Sequence, residues 1–584
     1  MAASAKPSTV RMLDVVVRGA GVVDGTGTPA RVVDVGVRDG RIVVVGVTDE
    51  DAREVVDGDG LLLTPGFVDV HTHYDAQLCW DPHASPSNLH GVTTVVAGNC
   101  GFTLAPLRTE DAAWTLEMMA EVEGMPLEAL WGGVPARWHT FGDYLDHLDG
   151  RLGVNAAFLV GHCALRRHVM GDAGTGSEAD PGEVAAMVAL LHEAIEAGAI
   201  GLSSSQSFTH DDGDGRPIPT RSATTEEVLA LCAAVGEHEG TTLEYITDGC
   251  LKGFTDEEVE RLTAMSVAAG RPLNWNVLTV DSRDPDAVEH QLRASEHAAA
   301  NGGRVVALTM PTLVPMNMSF LTRCALTMFP YWDTVLTLPL PERRERLADP
   351  EVRRRMRAAA VSEEAGVLRR LSGWADYRVG DTYSEANRGL EGARVGDIAA
   401  ERGVDAFDAL VDLVLADDLR TVLWPTPPED DDASWALRMR LLDSERALAG
   451  GSDAGAHLDR MLGSTYPTVW LADTLRGRRL LPVERVVQLM TDVPARLLGL
   501  RDRGRIEPGA HADLVLFDPA TVGSGPVRKV ADLPGGSERL FAPSEGIARI
   551  WVNGRTTVVE GENTRDLAGT LLRSGRDTHT VEVP

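Results

Sequence analysis

Along residues 13–64 apolar positions recur at every second residue in short runs, LDVVVRGAGVVDGTG and then RVVDVGVRDGRIVVVG, with Asp-Gly pairs at the breaks. A period of two interrupted by such pairs predicts antiparallel strands joined by tight turns. The same texture returns in GRIEPGAHADLVLFD (504–518) and IARIWVNGRTTVVEGE (547–562). Two β-rich pieces of like pattern at opposite ends predict one small β-sandwich composed of residues 1–64 and 504–584, with residues 65–503 inserted into it.

Within the insert the period changes. Apolar runs of strand length at 66–73, 92–99, 154–161, 198–204, 241–247, 271–277, 304–310 and 446–453 alternate with longer stretches. In stretches such as 181–197, 224–239, 255–269 and 284–301 the apolar residues recur three and four apart, the helical period. Eight such units predict a (β/α)8 TIM-like barrel. Two connections are long, with insertions at about 101–153 and 311–445. Extra loops at a barrel's C-terminal face usually form substrate walls or lids.

In such a barrel the reactive groups stand at the C-terminal ends of strands. The first strand, GFVDV, runs straight into His71 and His73. Their spacing puts both imidazoles on one face, where they can hold a divalent metal. The second strand ends at Asn99 and Cys100 in AGNCG, the third at His162 in VGHCALR, and the eighth at Asp453 in GGSDAGAH. Imidazoles and a thiolate to hold a metal, with a carboxylate to accept a proton from water, are the equipment of a metal-dependent hydrolase. His162 is a candidate to polarise the scissile carbonyl, with a hydrogen-bonded rim histidine as the alternative. Arg166 offers a planar fork for a substrate carboxylate, with a structural ion pair as the alternative. Tyr245, Asn274 and Asn276 enter as substrate contacts by their place at strand ends, and His457 as a substrate contact or recruited ligand. His83, His168 and His210 read as ordinary surface or loop histidines. SSSQSFTH at 203–210 reads as a polar rim loop, because no G-x-S-x-G elbow is present.

The blocks PGFVDVHTHYD, HGVTTVVAGNCGFTLAPL (90–107) and SDAGAH, with the split terminal sandwich, resemble the D-aminoacylase (N-acyl-D-amino-acid deacylase) branch of the amidohydrolase superfamily. The resemblance runs from about residue 13 to about residue 562. It implies a zinc-carrying barrel that hydrolyses the amide of N-acyl-D-amino acids. His71 and His73 would bind one metal, Cys100 would take the place of a metal-bridging cysteine, and Asp453 would be ligand and general base. Lys252, the barrel's only lysine, falls past a strand end in a Gly-containing loop, so Cys100 and not a carboxylated lysine is expected to bridge. The resemblance also implies histidines at the ends of the fifth and sixth strands, and LEYITDG and PLNWNVL contain none. Three outcomes follow: one Zn2+ ion on His71, His73, Cys100 and Asp453; recruitment of His162 or His457; or loss of the metal. The leading expectation is a metal-dependent amidohydrolase cleaving a small-molecule C–N amide bond. A cyclic amide or imide hydrolase, or another bond-cleaving member, is the second enzyme reading. A catalytically silent barrel acting as a binding scaffold is the rival from another class.

Composition narrows the setting. The chain is 43% hydrophobic and 24% charged, a globular balance. No run approaches the roughly 18 apolar residues of a membrane span. The first residues lack an apolar signal core, so a cytoplasmic protein is expected. Six cysteines without a C-x-x-C indicate reduced thiols, with neither a disulfide framework nor a zinc knuckle. A net charge of −32 opposes binding to nucleic acid and to anionic membrane surfaces. A homo-oligomer is a common arrangement for folds of this kind.

Overall fold

The computed structural model describes residues 12–584 apart from Arg323 and Pro428. The reading of the N-terminus as lacking a leader core therefore rests partly on residues 1–11, outside the described residues.

Both chain ends enter one nine-stranded sheet. Its order runs Glu562–Asn563, Arg555–Val559, Ile547–Val552, Leu514–Phe517, Leu62–Pro65, Leu13–Val22, Arg31–Arg38 and Arg41–Val45, with Ala52–Asp57 also pairing Leu13–Val22. The ends meet where Leu62–Pro65 pairs antiparallel with Leu514–Phe517, Leu514 opposite Pro65. Val15, Val17, Val35, Leu63, Leu514 and Trp551 form the core under this sheet, the inward half of the alternation seen in the sequence.

At Gly66 the chain passes from that sheet into the central domain. The Gly66 N–H is held by the Asp513 carbonyl at 2.8 Å. A Cβ there would lie 2.0 Å from the Thr93 hydroxyl oxygen, so the two layers can approach this closely only over glycine. Eight strands follow: β1 (Phe67–Asp69), β2 (Val92–Ala97), β3 (Asn155–Phe158, continued by Val160–Gly161), β4 (Gly201–Gln206), β5 (Thr242–Thr247), β6 (Leu273–Trp275), β7 (Val305–Thr309) and β8 (Ala447–Ala449). Each pairs in parallel with the next in chain order. An isolated parallel bridge joins Thr72, just past β1, to Ala454, just past β8. All residues of β2 and β5 are buried, as strands with helices or core on both faces must be. Helices Pro181–Ala197, Thr225–Gly236, Asp256–Ala269 and Pro285–Ala300 occupy the crossovers. All four have a side-chain cap that meets the backbone N–H of the third helical residue: Asp180, Thr224, Thr255 and Asp284.

The two long connections differ. The first carries helices Ala112–Val122, Leu127–Gly133 and Phe141–Leu148, whose apolar residues Leu116, Met119 and Tyr144 join the central core. The second, between β7 and β8, has a core of its own around Trp332, Trp374 and Phe407. The two indoles stack at 5.5 Å and 20°. A bridge from Met316 to Met461 ties it to the segment after β8, and one from Met318 to Leu423 closes it on itself. At the far end of the chain, residues 564–584 run along the central domain, where Leu572 N donates to Ala156 O at 2.8 Å and Thr578 Oγ1 to Gly240 O at 2.7 Å. Among the described residues no helix is long and apolar enough to cross a membrane.

Candidate metal centre

His71 and His73 leave β1 fully buried, with ring centroids 5.3 Å apart. Neighbouring strand ends fix the backbone between them: Thr72 N donates to Val96 O at 3.0 Å and His73 N to Ala454 O at 2.8 Å. Ser452 hydrogen-bonds the Asp69 carboxylate at 2.6 Å and the His71 carbonyl at 3.2 Å, locking the β8 loop to the β1 end.

Cys100 arrives from β2 on a single turn, Asn99–Gly101, with φ at +55°. A non-glycine residue in the left-handed region persists only when its surroundings over-determine it. Here Asn99 donates to Thr72 O and Val96 O, and Cys100 N donates to Glu244 Oε2 at 2.8 Å. Asp453 and His457 also have positive φ, +50° and +49°.

These loops bring four donors together. His71 Nε2 lies 3.6 Å from Cys100 Sγ and 3.3 Å from Asp453 Oδ1. His73 Nε2 is 3.8 Å from the same oxygen, and one donor atom each of His71, His73 and Cys100 lie within 4.8 Å of one another. Donors bound 2.0–2.3 Å from a zinc ion at tetrahedral angles stand about 3.3–3.6 Å apart. His71, His73 and Cys100 are thus close enough to share one metal ion, and Asp453 Oδ1 borders that group beside His71.

Electrostatics supports the same fit. Asp69, Asp75, Glu123, Glu244 and Asp453 are gathered with the Cys100 thiol around the two imidazoles. Burial pushes Asp69 and Glu123 up to about 7, Asp75 to about 6 and Glu244 to about 8. Burial also drives the Cys100 thiol well above its ordinary value, with the charges of Glu244, Glu123 and Asp453 adding to the effect. Burial takes His71 down to about 3, leaving its ring neutral and its lone pair available. For His73 burial pulls down, but Glu123, with Oε1 3.3 Å from Nδ1, and Asp453 outweigh it and hold the ring at about 9. For Asp453 burial works upward, yet the close approach of His73 and the charges of both imidazoles keep it below the usual carboxylate range. His71 Nδ1, Asp75 Oδ1, Glu244 Oε1 and Asp453 Oδ1 are buried with no hydrogen-bond partner. So many acids packed into a dry site call for a cation, whose charge would reverse these upward shifts.

Other candidates fall elsewhere. His162 is enclosed: Nδ1 meets Ser204 Oγ and Nε2 meets Glu227 Oε1, both at 2.8 Å. Arg166 spends Nη1 on both Glu227 oxygens and Nη2 on the carbonyls of Gly174 and Ser177, with no exposed surface. The ion-pair alternative describes Arg166, and the hydrogen-bonded alternative describes His162. Tyr245 points to the helical layer, its hydroxyl donating to Gln206 Oε1 at 2.6 Å beside Arg261. Successive residues of a strand face opposite sides, so the inward residue of β5 is Glu244, one position away. By the same alternation Asn274 and Asn276 face inward around an outward Trp275 packed on Phe254 at 4.9 Å. Asn274 sits opposite Glu244 in register, and the side-chain oxygens of both asparagines are buried without partners. His457 stands at the centre's edge, its N–H donating to Glu123 O at 2.5 Å. His210 does not behave as a surface residue: it packs on Phe102 at 5.2 Å, bonds Ser205, and its ring is driven down to about 3 by burial and by the charges of His73 and His457. Lys252 is on the surface, 3.4 Å from Asp248. Sequence reasoning also passed over Glu123, because nothing in a helical insertion marks the one carboxylate that folds back onto a strand end.

A cavity of about 410 Å3 opens beside Asp453, between the loops after β6, β7 and β8 and the second insertion. A second cavity of about 740 Å3, against the C-terminal segment, contains none of these residues.

Residues 54–562 match the model of the Amidohydrolase family. The chain belongs to this family, and with it to the metal-dependent hydrolases of C–N bonds outside peptides. It is 32% identical to an N-acyl-D-aspartate deacylase of Alcaligenes xylosoxydans xylosoxydans over 96% of this chain and 95% of that one. A solved D-aminoacylase, described for the functional role of its binuclear metal centre with one-metal activation and second-metal attenuation, is 27% identical with a TM-score of 0.61, covering 96% of this chain and 100% of that one. The N-acyl-D-glutamate deacylase of Bordetella bronchiseptica, solved with zinc and a phosphonate inhibitor, is 26% identical with a TM-score of 0.61, covering 97% of this chain and 100% of that one.

Proposed function

We propose that this amidohydrolase cleaves the amide of N-acyl-D-amino acids, using one zinc ion on His71, His73, Cys100 and Asp453. The spacing of those donor atoms carries the reading. His71, His73, Cys100 and Asp453 would hold the ion, which would supply Lewis-acid polarisation of the attacking water and the scissile carbonyl. Asp453, charged at neutral pH, accepts the water's proton as the oxygen attacks the carbonyl carbon, and delivers it to the leaving nitrogen as the C–N bond breaks. Glu123, with Oε1 3.3 Å from His73 Nδ1, attracts that side of the ring while Nε2 lies toward Asp453. His210, under the charge of His73 and Asp453, is the imidazole we assign to the substrate side in place of the enclosed His162. Asn274, Asn276 and His457 complete the substrate-facing wall.

We read the consecutive parallel strands, with the Thr72 to Ala454 bridge, as a closed barrel at residues 65–503, and the terminal sheet as a separate domain folded over its own core. Six unpaired cysteines support a reducing cytoplasmic setting.

The test is zinc per chain by elemental analysis for the wild type and Cys100→Ala, beside turnover of N-acetyl-D- and N-acetyl-L-amino acids. About one zinc, lost in the variant, with turnover of the D-series supports the proposal. Two ions would give Glu244 a ligand role through its unpartnered oxygen, and Glu244→Gln would then remove one. No zinc after supplementation would leave a silent barrel as the better reading.

A further inference from the structure

The cavity beside Asp453 is largely apolar, with Leu278, Val280, Met310, Val314, Leu371 and Trp424 among its walls. Three charged side chains besides Asp453 also reach it: Arg370, Glu429 and Arg438. Arg370 Nη1 is paired with Glu429 Oε1 at 2.8 Å, so those two charges offset one another.

Arg438 is different. It lies on helix Asp432–Asp443 and is only 4% exposed. Its guanidinium rests on the Trp435 ring at 4.7 Å, and Nη2 reaches the Val280 carbonyl at a long 3.4 Å. Nη1 is buried with no partner among the described residues. The nearby carboxylates are engaged elsewhere. Asp430 takes the Trp435 indole N–H and Arg478, Asp431 caps the helix and bonds Ser282, and Glu429 holds Arg370 through Oε1, its Oε2 buried without a hydrogen-bond partner among the described residues. A buried guanidinium with an unpartnered N–H is costly, and Arg438 lines the cavity that reaches the proposed general base.

We propose that Arg438 is the anion anchor of the substrate cavity: it receives a carboxylate of the ligand, while the surrounding apolar wall takes the ligand's hydrocarbon part. This rests on the hydrolase reading above for the identity of the ligand, an N-acyl amino acid. The carboxylate belongs either to the amino acid's main chain or to an acidic side chain, and the test separates the two.

Steady-state kinetics of the zinc-loaded wild type, Arg438→Gln and Arg438→Lys are measured on N-acetyl-D-leucine, N-acetyl-D-aspartate and N-acetyl-D-leucinamide, which lacks a carboxylate. Binding of the same three compounds is measured by calorimetry. Losing one charge-assisted contact predicts a KM increase of about tenfold to a hundredfold in Arg438→Gln, with kcat little changed. A loss on both acids assigns the main-chain carboxylate, and a loss on the aspartate derivative alone assigns the side chain. In either case the leucinamide is unaffected and Arg438→Lys recovers part of the loss. An equal loss on the leucinamide, or no loss on any compound, overturns the proposal. If the wild type turns over none of the three, the hydrolase reading fails. The anchor is then judged by calorimetry alone, and wild-type binding of the acids that Arg438→Gln does not weaken overturns it. Melting temperatures of the variants show whether a loss reflects unfolding.

Discussion

Two buried polar clusters built on neighbouring strand ends answer their own chemistry in opposite ways. Around His162 the groups largely close on one another: both ring nitrogens, both Glu227 oxygens and both terminal nitrogens of Arg166 have partners inside the protein, and Arg166 Nε alone of these three side chains' polar atoms has none among the described residues. Around His71 and His73 the groups stop short, leaving Asp453 Oδ1, Glu244 Oε1 and ring nitrogens unmatched amid an excess of acids. Residue types alone do not separate the clusters, since each offers a rim histidine and a carboxylate. What separates them is how far the polar atoms are satisfied without a ligand. A closed cluster stabilises the fold, whereas an open one is arranged for something the chain does not supply.

The comparison is tested most severely at Asp453. Asp453→Asn keeps the shape of the side chain but removes the proton acceptor, so kcat should fall by about a hundredfold to ten-thousandfold. Melting temperature should change little, because the site is not what holds the strands together. A variant with full activity would refute the assignment of the general base. The closed cluster should behave in reverse. Glu227→Ala leaves Arg166 charged and His162 unpaired in a dry interior, which predicts a loss of about 3–5 kcal/mol in unfolding free energy. The fraction that remains folded should retain its KM. Denaturant unfolding together with kinetics measures both, and a stable Glu227→Ala protein with a raised KM would move this cluster into the substrate site.

The legible parts of the molecule were those dictated by local pattern. Parallel strands buried on both faces read as apolar runs, so all eight were found within a few residues of their ends. His71, His73, Cys100 and Asp453 were legible because each ends a strand or follows one directly. Tyr245 was mistaken for Glu244 because only side-chain alternation distinguishes them, and its phase is set by packing against the helix bearing Arg261. Glu123 and Glu227 were invisible for another reason. Each meets its histidine across 50 and 65 residues respectively, through an insertion or a crossover helix whose docking no local period encodes. Arg438 belongs with them, since its isolation depends on which neighbours its nearby carboxylates have chosen.

The smallest expected effect separates the clusters by pH. Burial, with the Arg166 charge in the same direction, lowers the His162 pKa below its unfolded value of 6.5, while the hydrogen bond to Glu227 opposes the shift. The folded state therefore resists a proton that the unfolded chain accepts. His162 contributes its stabilisation in full above about pH 6.5 and loses it as pH falls from there towards its depressed folded value. In metal-stripped protein, where zinc cannot add its own pH dependence, wild type and His162→Gln should differ most in melting temperature near pH 8. That gap should narrow steadily towards pH 5, because wild type alone pays for keeping this ring neutral. The acid-sensitive groups of the open cluster are common to both proteins and cancel in the difference. A gap that stays constant or widens with acid would mean that His162 is charged in the folded protein, and the closed network would then be an ion triad around Glu227.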